Sequence, residues 1–285
     1  MCWAVSDQRD LAGRTFLITG GNTGIGLATA QTLAGRGGRV YLACRSRARG
    51  EAAVATLTAD TGSDQIFYLP LDLADLDSVR RCAADFLARD EPLHVLINNA
   101  GIAGHWGLTR DGFEVQFGVN HLGHFALTTA LLDRLAASAP ARVVTVSSDA
   151  HYQATGIDFG AVRRRTAHLT AMPEYSVSKL ANVLFSQELA RRTAGRGITT
   201  YALHPGVVAS DIWRRVPWPV RPLITRRMLT TEQGASTTLY CATSPDVAGA
   251  TGRFYIGCRE AEPNRVATPE LAQALWERSE AWAAD

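Results

Sequence analysis

A short apolar run at residues 14–19 breaks into Gly20-Gly21-Asn22-Thr23-Gly24-Ile25-Gly26, and helical spacing follows over residues 27–36. Strand, glycine turn and helix in that order let backbone N–H groups and a helix N-terminus face a phosphate. The glycines stand as G-x-x-x-G-x-G rather than the commoner G-x-G-x-x-G. A glycine trio alone also suits any tight turn. Here the turn opens a βαβ pattern that repeats down the chain: residues 39–43 read as a strand, 47–60 as a helix and 65–70 as a third strand. Such alternation implies parallel strands joined by crossover helices.

Residues 75–88 form a further amphipathic helix, with Leu76, Val79, Ala83, Phe86 and Leu87 three and four apart. The run 93–97 is continuously apolar, as suits a central parallel strand covered on both faces. A long helix over 111–135, a strand over 142–147 and an irregular stretch over 149–172 follow. A helix opens at Pro173, whose missing N–H would have had no partner there, and runs to about residue 192. The remainder reads as a strand over 198–204, a helix over 232–241, a strand over 252–256 and a terminal helix over 269–283. Between 207 and 230 the chain is rich in proline and arginine and carries Trp213 and Trp218, which predicts a segment covering a site. The whole reads as an α/β fold, a Rossmann-type doubly wound parallel sheet with helices on both faces, in one domain spanning 1–285.

Composition narrows the function. The 285 residues are 46% hydrophobic and 20% charged, which suits a globular interior. A net charge of +2 with scattered basic residues argues against a nucleic-acid partner. The five cysteines, Cys2, Cys44, Cys82, Cys241 and Cys258, show no metal or dithiol spacing, so a reduced, cytoplasmic setting is expected. The first 13 residues lack the apolar core of a signal peptide or a membrane anchor, and no run of about 18 apolar residues follows.

Candidate site residues gather at the carboxyl ends of the strands, where open α/β sheets bind nucleotides. Gly20, Gly24 and Gly26 fill the first turn. After the second strand, where an acid would hold an NAD ribose, the chain has Cys44-Arg45. Arg45 either binds a 2′-phosphate through charge-assisted hydrogen bonds, favouring NADP(H), or faces solvent. Asp72 is either an acceptor for the adenine amino group or a helix N-cap, and Asn99, Ala100 and Gly101 leave the fourth strand at the same edge. Tyr175 and Lys179 are four apart and share a helix face, where an ammonium would lower the phenol pKa toward the range of acid/base work. The same spacing is also common in ordinary surface pairs. Ser147 and Ser148 end the fifth strand, to steady a substrate oxygen or to cap local backbone. Asn120 is poorly suited to a helix interior, which hints at a functional contact. A serine hydrolase is disfavoured because G-x-S-x-G is absent. His121 and His124 lack a third ligand, so packing or solvent exposure is the reading and no metal is predicted.

Together, residues 19–26, Asn98-Asn99-Ala100-Gly101, Asn120, Ser148, Tyr175-Ser176-Val177-Ser178-Lys179 and Pro205-Gly206 closely resemble the short-chain dehydrogenase/reductase family over most of the chain. Residues 41–45, Val119-Asn120-His121-Leu122-Gly123-His124-Phe125 and 204–208 resemble its retinol dehydrogenase branch more narrowly. The resemblance implies about seven parallel strands and NADP(H) as cofactor. It implies a catalytic group of Tyr175 as acid/base, Lys179 lowering its pKa and binding the nicotinamide ribose, Ser148 orienting the substrate oxygen, and Asn120 holding a relay water. On the cofactor side it implies Gly20, Asn22, Gly24, Ile25 and Gly26 in the first turn and Arg45, Asp72 and Leu73 beyond it. Asn99, Gly101, Tyr175, Lys179, Pro205 and Val208 complete that side. Homodimers through the helices at 111–135 and 173–192 are a further implication. The Ala, Arg and Gly richness is also what a high-GC bacterial gene would produce. Reversible hydride transfer between an alcohol and a ketone or aldehyde on a fairly large apolar substrate is therefore expected. The alternative is an NADP(H)-binding regulatory or interaction protein on the same fold.

Overall fold

The computed structural model describes residues 10–208 and 229–284. They contain one eight-stranded sheet in the order β3-β2-β1-β4-β5-β6-β7-β8. β1 (Thr15–Thr19), β2 (Arg39–Cys44), β3 (Ile66–Pro70), β4 (Val95–Asn98), β5 (Ala141–Val146), β6 (Ile198–His204) and β7 (Arg253–Ile256) run parallel. β8 (Arg259–Ala261) returns antiparallel on β7 and adds one strand to the seven anticipated. Its three residues, Arg-Glu-Ala, carry no apolar run to announce it.

Successive strand side chains point to opposite faces, and both faces here are apolar. Phe16, Ile18, Val40 and Leu42 pack on one side with α1 (Gly24–Ala34) and α2 (Arg47–Thr61). Leu17, Tyr41, Ala43 and Leu96 pack on the other, with α3 (Leu76–Leu87). The long helix anticipated over 111–135 is instead α4 (Val115–Phe117), a π turn (Gly118–Leu122), α5 (Gly123–Ala130) and α6 (Leu132–Ala137). Glu114, almost wholly buried, caps its start by accepting from the N–H groups of Gln116 and Phe117. α7 (Met172–Arg192) follows two 3₁₀ turns, and α8 (Thr231–Thr243) and α9 (Pro269–Ala284) complete the helices described.

The segment at 207–230, with Trp213 and Trp218, lies almost wholly outside the described residues. None of the described helices is long and apolar enough to cross a membrane. Cys44, Cys82 and Cys241 are free and buried, whereas Cys258 is disulfide-bonded, a departure from the expected all-reduced set.

Candidate active site

The strand order reverses between β1 and β4, and ligands of open α/β sheets bind outside the carboxyl ends of the strands at such a switch point. Gly20 leaves β1 at φ +66° and Gly24 adopts φ +55°, a region that favours glycine. A Cβ on Gly26 would lie 2.4 Å from the Gly20 carbonyl oxygen, so the turn closes only with glycine there. α1 begins at Gly24, earlier than its apolar spacing suggested, because two of the turn glycines already take helical positions. No acidic residue stands in its first turn, and Thr23 places no side-chain cap on it, so its positive end stays suited to an anion. Ile25 and Val208 converge over this helix: a Cβ on Gly234 of α8 would meet Val208 Cγ2 at 2.5 Å and Ile25 Cγ1 at 3.2 Å. Asn22 and Pro205 are partly buried in the turns that end β1 and β6.

Arg45 is exposed past β2 and forms no ion pair among the described residues. Asp72, past β3, accepts from the Ala74 N–H at 3.0 Å, and buried Leu73 follows it. The helix N-cap considered for Asp72 is Asp75, which accepts from Asp77 and Ser78. Asn99 ties β4 to β1, donating from Nδ2 to the Thr19 carbonyl at 2.8 Å. Gly101 allows close approach at the floor of the site: a Cβ there would lie 3.3 Å from Lys179 Nζ and 3.4 Å from Asn120 Oδ1.

The other residues singled out meet at the same edge. Tyr175 and Lys179 lie one turn apart on α7, with Lys179 Nζ 5.7 Å from the Tyr175 ring centroid. The Ser148 hydroxyl stands beside the Tyr175 phenol, near enough to act on its titration, and donates its proton to Asp149 Oδ1 at 3.0 Å. Ser147 instead donates to the Lys179 carbonyl at 2.7 Å and is buried, so it holds α7 against β5. Asn120 sits in the π turn, and its side chain makes three hydrogen bonds. Oδ1 accepts from Ile102 N–H at 2.8 Å, while Nδ2 donates to the Ile102 carbonyl and to Ser178 Oγ, each at 2.9 Å. Ser178 Oγ donates in turn to the Tyr175 carbonyl at 2.7 Å. That leaves the second Oδ1 lone pair and the Asn120 main chain for a relay water.

Electrostatics depart from what the four-residue spacing suggested. Burial pushes the Tyr175 phenol up to about 12; the Ser148 hydroxyl opposes the shift and the Asp149 charge adds to it. Lys179, with Nζ 5.7 Å from the ring, does not offset the burial of the phenol. Its own ammonium is enclosed, donates to the Val146 carbonyl at 3.0 Å, and is pushed down to about 8 by burial. An ammonium has three donors, and among the described residues that carbonyl takes one, so Lys179 fits a hydroxyl-rich ligand beside Gly101. The sequence reading missed the roles of Thr19, Ser178 and Asp149. Only Thr19 carried a signal, as the polar residue that closes the apolar run of β1.

Fold and site together define a nucleotide-type open α/β protein with a Tyr, Lys, Ser and Asn cluster at its switch edge. The chain belongs to the short-chain dehydrogenase family, whose model matches residues 14–218. It is 45% identical to retinol dehydrogenase 12 of Mus musculus, over 93% of this chain and 85% of that one. It is 42% identical to the WW domain-containing oxidoreductase of Gallus gallus, over 95% and 68%. Among solved structures, an uncharacterized protein of Mycobacterium paratuberculosis aligns at TM-score 0.79 and 37% identity, covering 100% of this chain and 98% of that one. The Pseudomonas aeruginosa RhlG/NADP active-site complex aligns at TM-score 0.69 and 27% identity, covering 86% and 94%. The chain is thus an oxidoreductase of this family with a Rossmann-like fold.

Proposed function

We propose that the chain is a single-domain, NADP(H)-dependent enzyme that interconverts an alcohol and a ketone or aldehyde on a fairly large apolar substrate. The observation that carries the reading is the meeting of the Tyr175 phenol, the Ser148 hydroxyl and the enclosed Lys179 ammonium at one sheet edge. When bound, the nicotinamide supplies or accepts a hydride at C4. Tyr175 Oη gives its proton to the substrate oxygen during reduction and takes it back during oxidation. A phenol pushed up to about 12 holds its proton at neutral pH, which favours carbonyl reduction there. Ser148 Oγ orients that oxygen, and the Lys179 charge favours the phenolate left behind.

Two loops support an apolar substrate. Gln116 accepts from the Gly104 N–H and donates to the Ala171 carbonyl, joining the loop after β4 to the one before α7. These loops expose Trp106, Leu108 and Leu169, and Met172 is exposed at the start of α7. The retinol dehydrogenases among the relatives are named for an apolar alcohol. With NADPH, retinal and long-chain aldehydes are expected to be reduced and glyoxylate not. Turnover confined to small charged carbonyls would defeat the substrate reading. NADPH binding without turnover of any carbonyl would favour a regulatory protein instead.

NADP(H) preference is supported by Arg45, exposed and without an ion pair among the described residues at the edge where a 2′-phosphate would lie, and by the neighbour solved with NADP. Arg45→Asp is expected to lower kcat/KM for NADPH by about 10- to 100-fold, as loss of a charge-assisted contact implies, with NADH much less affected. Equal kcat/KM for NADH and NADPH in the unaltered protein would sink the preference.

A further inference from the structure

The His124 ring lies between two halves of the site. It is 1% exposed, follows Asn120 by four residues, and stands at the start of α5, directly after the π turn. Nδ1 lies 2.9 Å from the Asn120 carbonyl oxygen, and Nε2 lies 2.8 Å from Thr19 Oγ1 at the end of β1. Neighbouring His121 behaves differently: its ring packs among Phe117, Phe125 and Phe185, with Nε2 on Ser279.

The directions of these bonds follow from the partners. A carbonyl only accepts, so Nδ1 of His124 carries the proton. Burial holds the imidazole neutral, its pKa pushed down to about 4, so Nε2 is an acceptor and the Thr19 hydroxyl donates to it. Thr19 Oγ1 then has its lone pairs free for the Asn99 and Ala100 N–H groups, which lie 2.9 Å away. One polarised chain thus runs from the backbone past β4, through Thr19 and His124, to the Asn120 carbonyl. From Asn120 the side chain continues to Ile102 and Ser178, and Ser178 to the Tyr175 carbonyl. A π turn is an uncommon, locally loosened geometry, and the ring holds its central carbonyl from the side.

We infer that His124 is a positioning residue, which bridges the nucleotide turn to Asn120 and fixes the Asn120 carbonyl for proton transfer at Tyr175. This rests on the oxidoreductase reading above. Its test is made on the full chain with NADPH and retinal. In nitrogen-15 spectra of the imidazoles, His124 should show a protonated Nδ1 and an unprotonated Nε2, the reverse of the tautomer that free histidine prefers. His124→Leu should lower kcat by about 30-fold, a few kcal/mol of transition-state positioning being lost with the bridge. KM for NADPH should stay within about threefold. His124→Gln offers a donor and an acceptor on one side chain, and should recover kcat to within about threefold of the parent. A protonated Nε2, a normal kcat in His124→Leu, or equal losses in the Leu and Gln variants would each overturn the inference. If the parent reduces no carbonyl, the oxidoreductase reading fails on its own, and the nitrogen resonances still decide whether the bridge exists.

Discussion

Tyr175→Phe is expected to lower kcat for carbonyl reduction by about 1,000-fold, within the usual worth of a positioned general acid, and to leave the dissociation constant for NADPH within about threefold. The substitution removes one oxygen from a ring only 8% exposed, and Phe keeps the ring volume that packs near Lys179. Folding should survive for that reason. What disappears is the atom that the Ser148 hydroxyl contacts, together with its proton, which burial secures up to about pH 12. Steady-state kinetics and NADPH fluorescence titration of the same preparation separate the two effects. A near-normal kcat would remove Tyr175 from the chemistry. A parallel loss of NADPH binding would mean that the phenol serves the cofactor instead.

Much of the fold could be read because buried parallel strands write themselves plainly. β1 and β4 are buried at every position, and a run without polar alternation has few other places to go. The glycine turn was equally legible, since Gly20 and Gly24 need a backbone that other residues resist. The interruption of the helix over 111–135 was not. Gly118, Asn120 and Gly123 are weak helix formers, but propensity does not say whether a helix ends, kinks or widens into a π turn. The reason lies elsewhere in the chain: a Cβ on Gly123 would meet the Leu73 carbonyl at 2.7 Å, and one on Gly118 would meet Thr109 at 2.3 Å. His124 was illegible for the same reason, because Thr19 is 105 residues away. Spacing put Tyr175 beside Lys179, yet it could not reveal that both are buried, and burial reverses the expected direction of the phenol's shift.

Lys179→Met should remove activity and stabilise the protein, a pairing that separates functional from structural need. Lys179 is 3% exposed and has no carboxylate partner among the described residues, so its charge is poorly compensated and its pKa falls to about 8. The unfolded chain holds that proton up to about 10.4. Between these values the unfolded state binds more protons, so stability rises with pH across the window, and below about pH 8 the full penalty of the buried charge applies. The penalty is on the order of 3 kcal/mol. Methionine is unbranched and apolar and fills a similar volume without the charge. At pH 7 the variant's Tm should therefore exceed the parent's by several degrees, on the order of 4–8 °C, and the gap should shrink toward pH 10. In the same variant kcat/KM for NADPH-dependent reduction should drop by at least about 100-fold, because the proposed ribose donor and the proposed charge that favours phenolate are both gone. In the parent, kcat/KM for reduction should decline above about pH 8 as Lys179 loses its proton, while Tyr175 still holds its own. Melting curves at pH 7 and pH 10, run beside the pH–rate profile, test both halves. A variant less stable than the parent at pH 7 would show that Lys179 is held by compensation stronger than the single Val146 carbonyl provides. A retained rate would show that its charge has no part in the reaction.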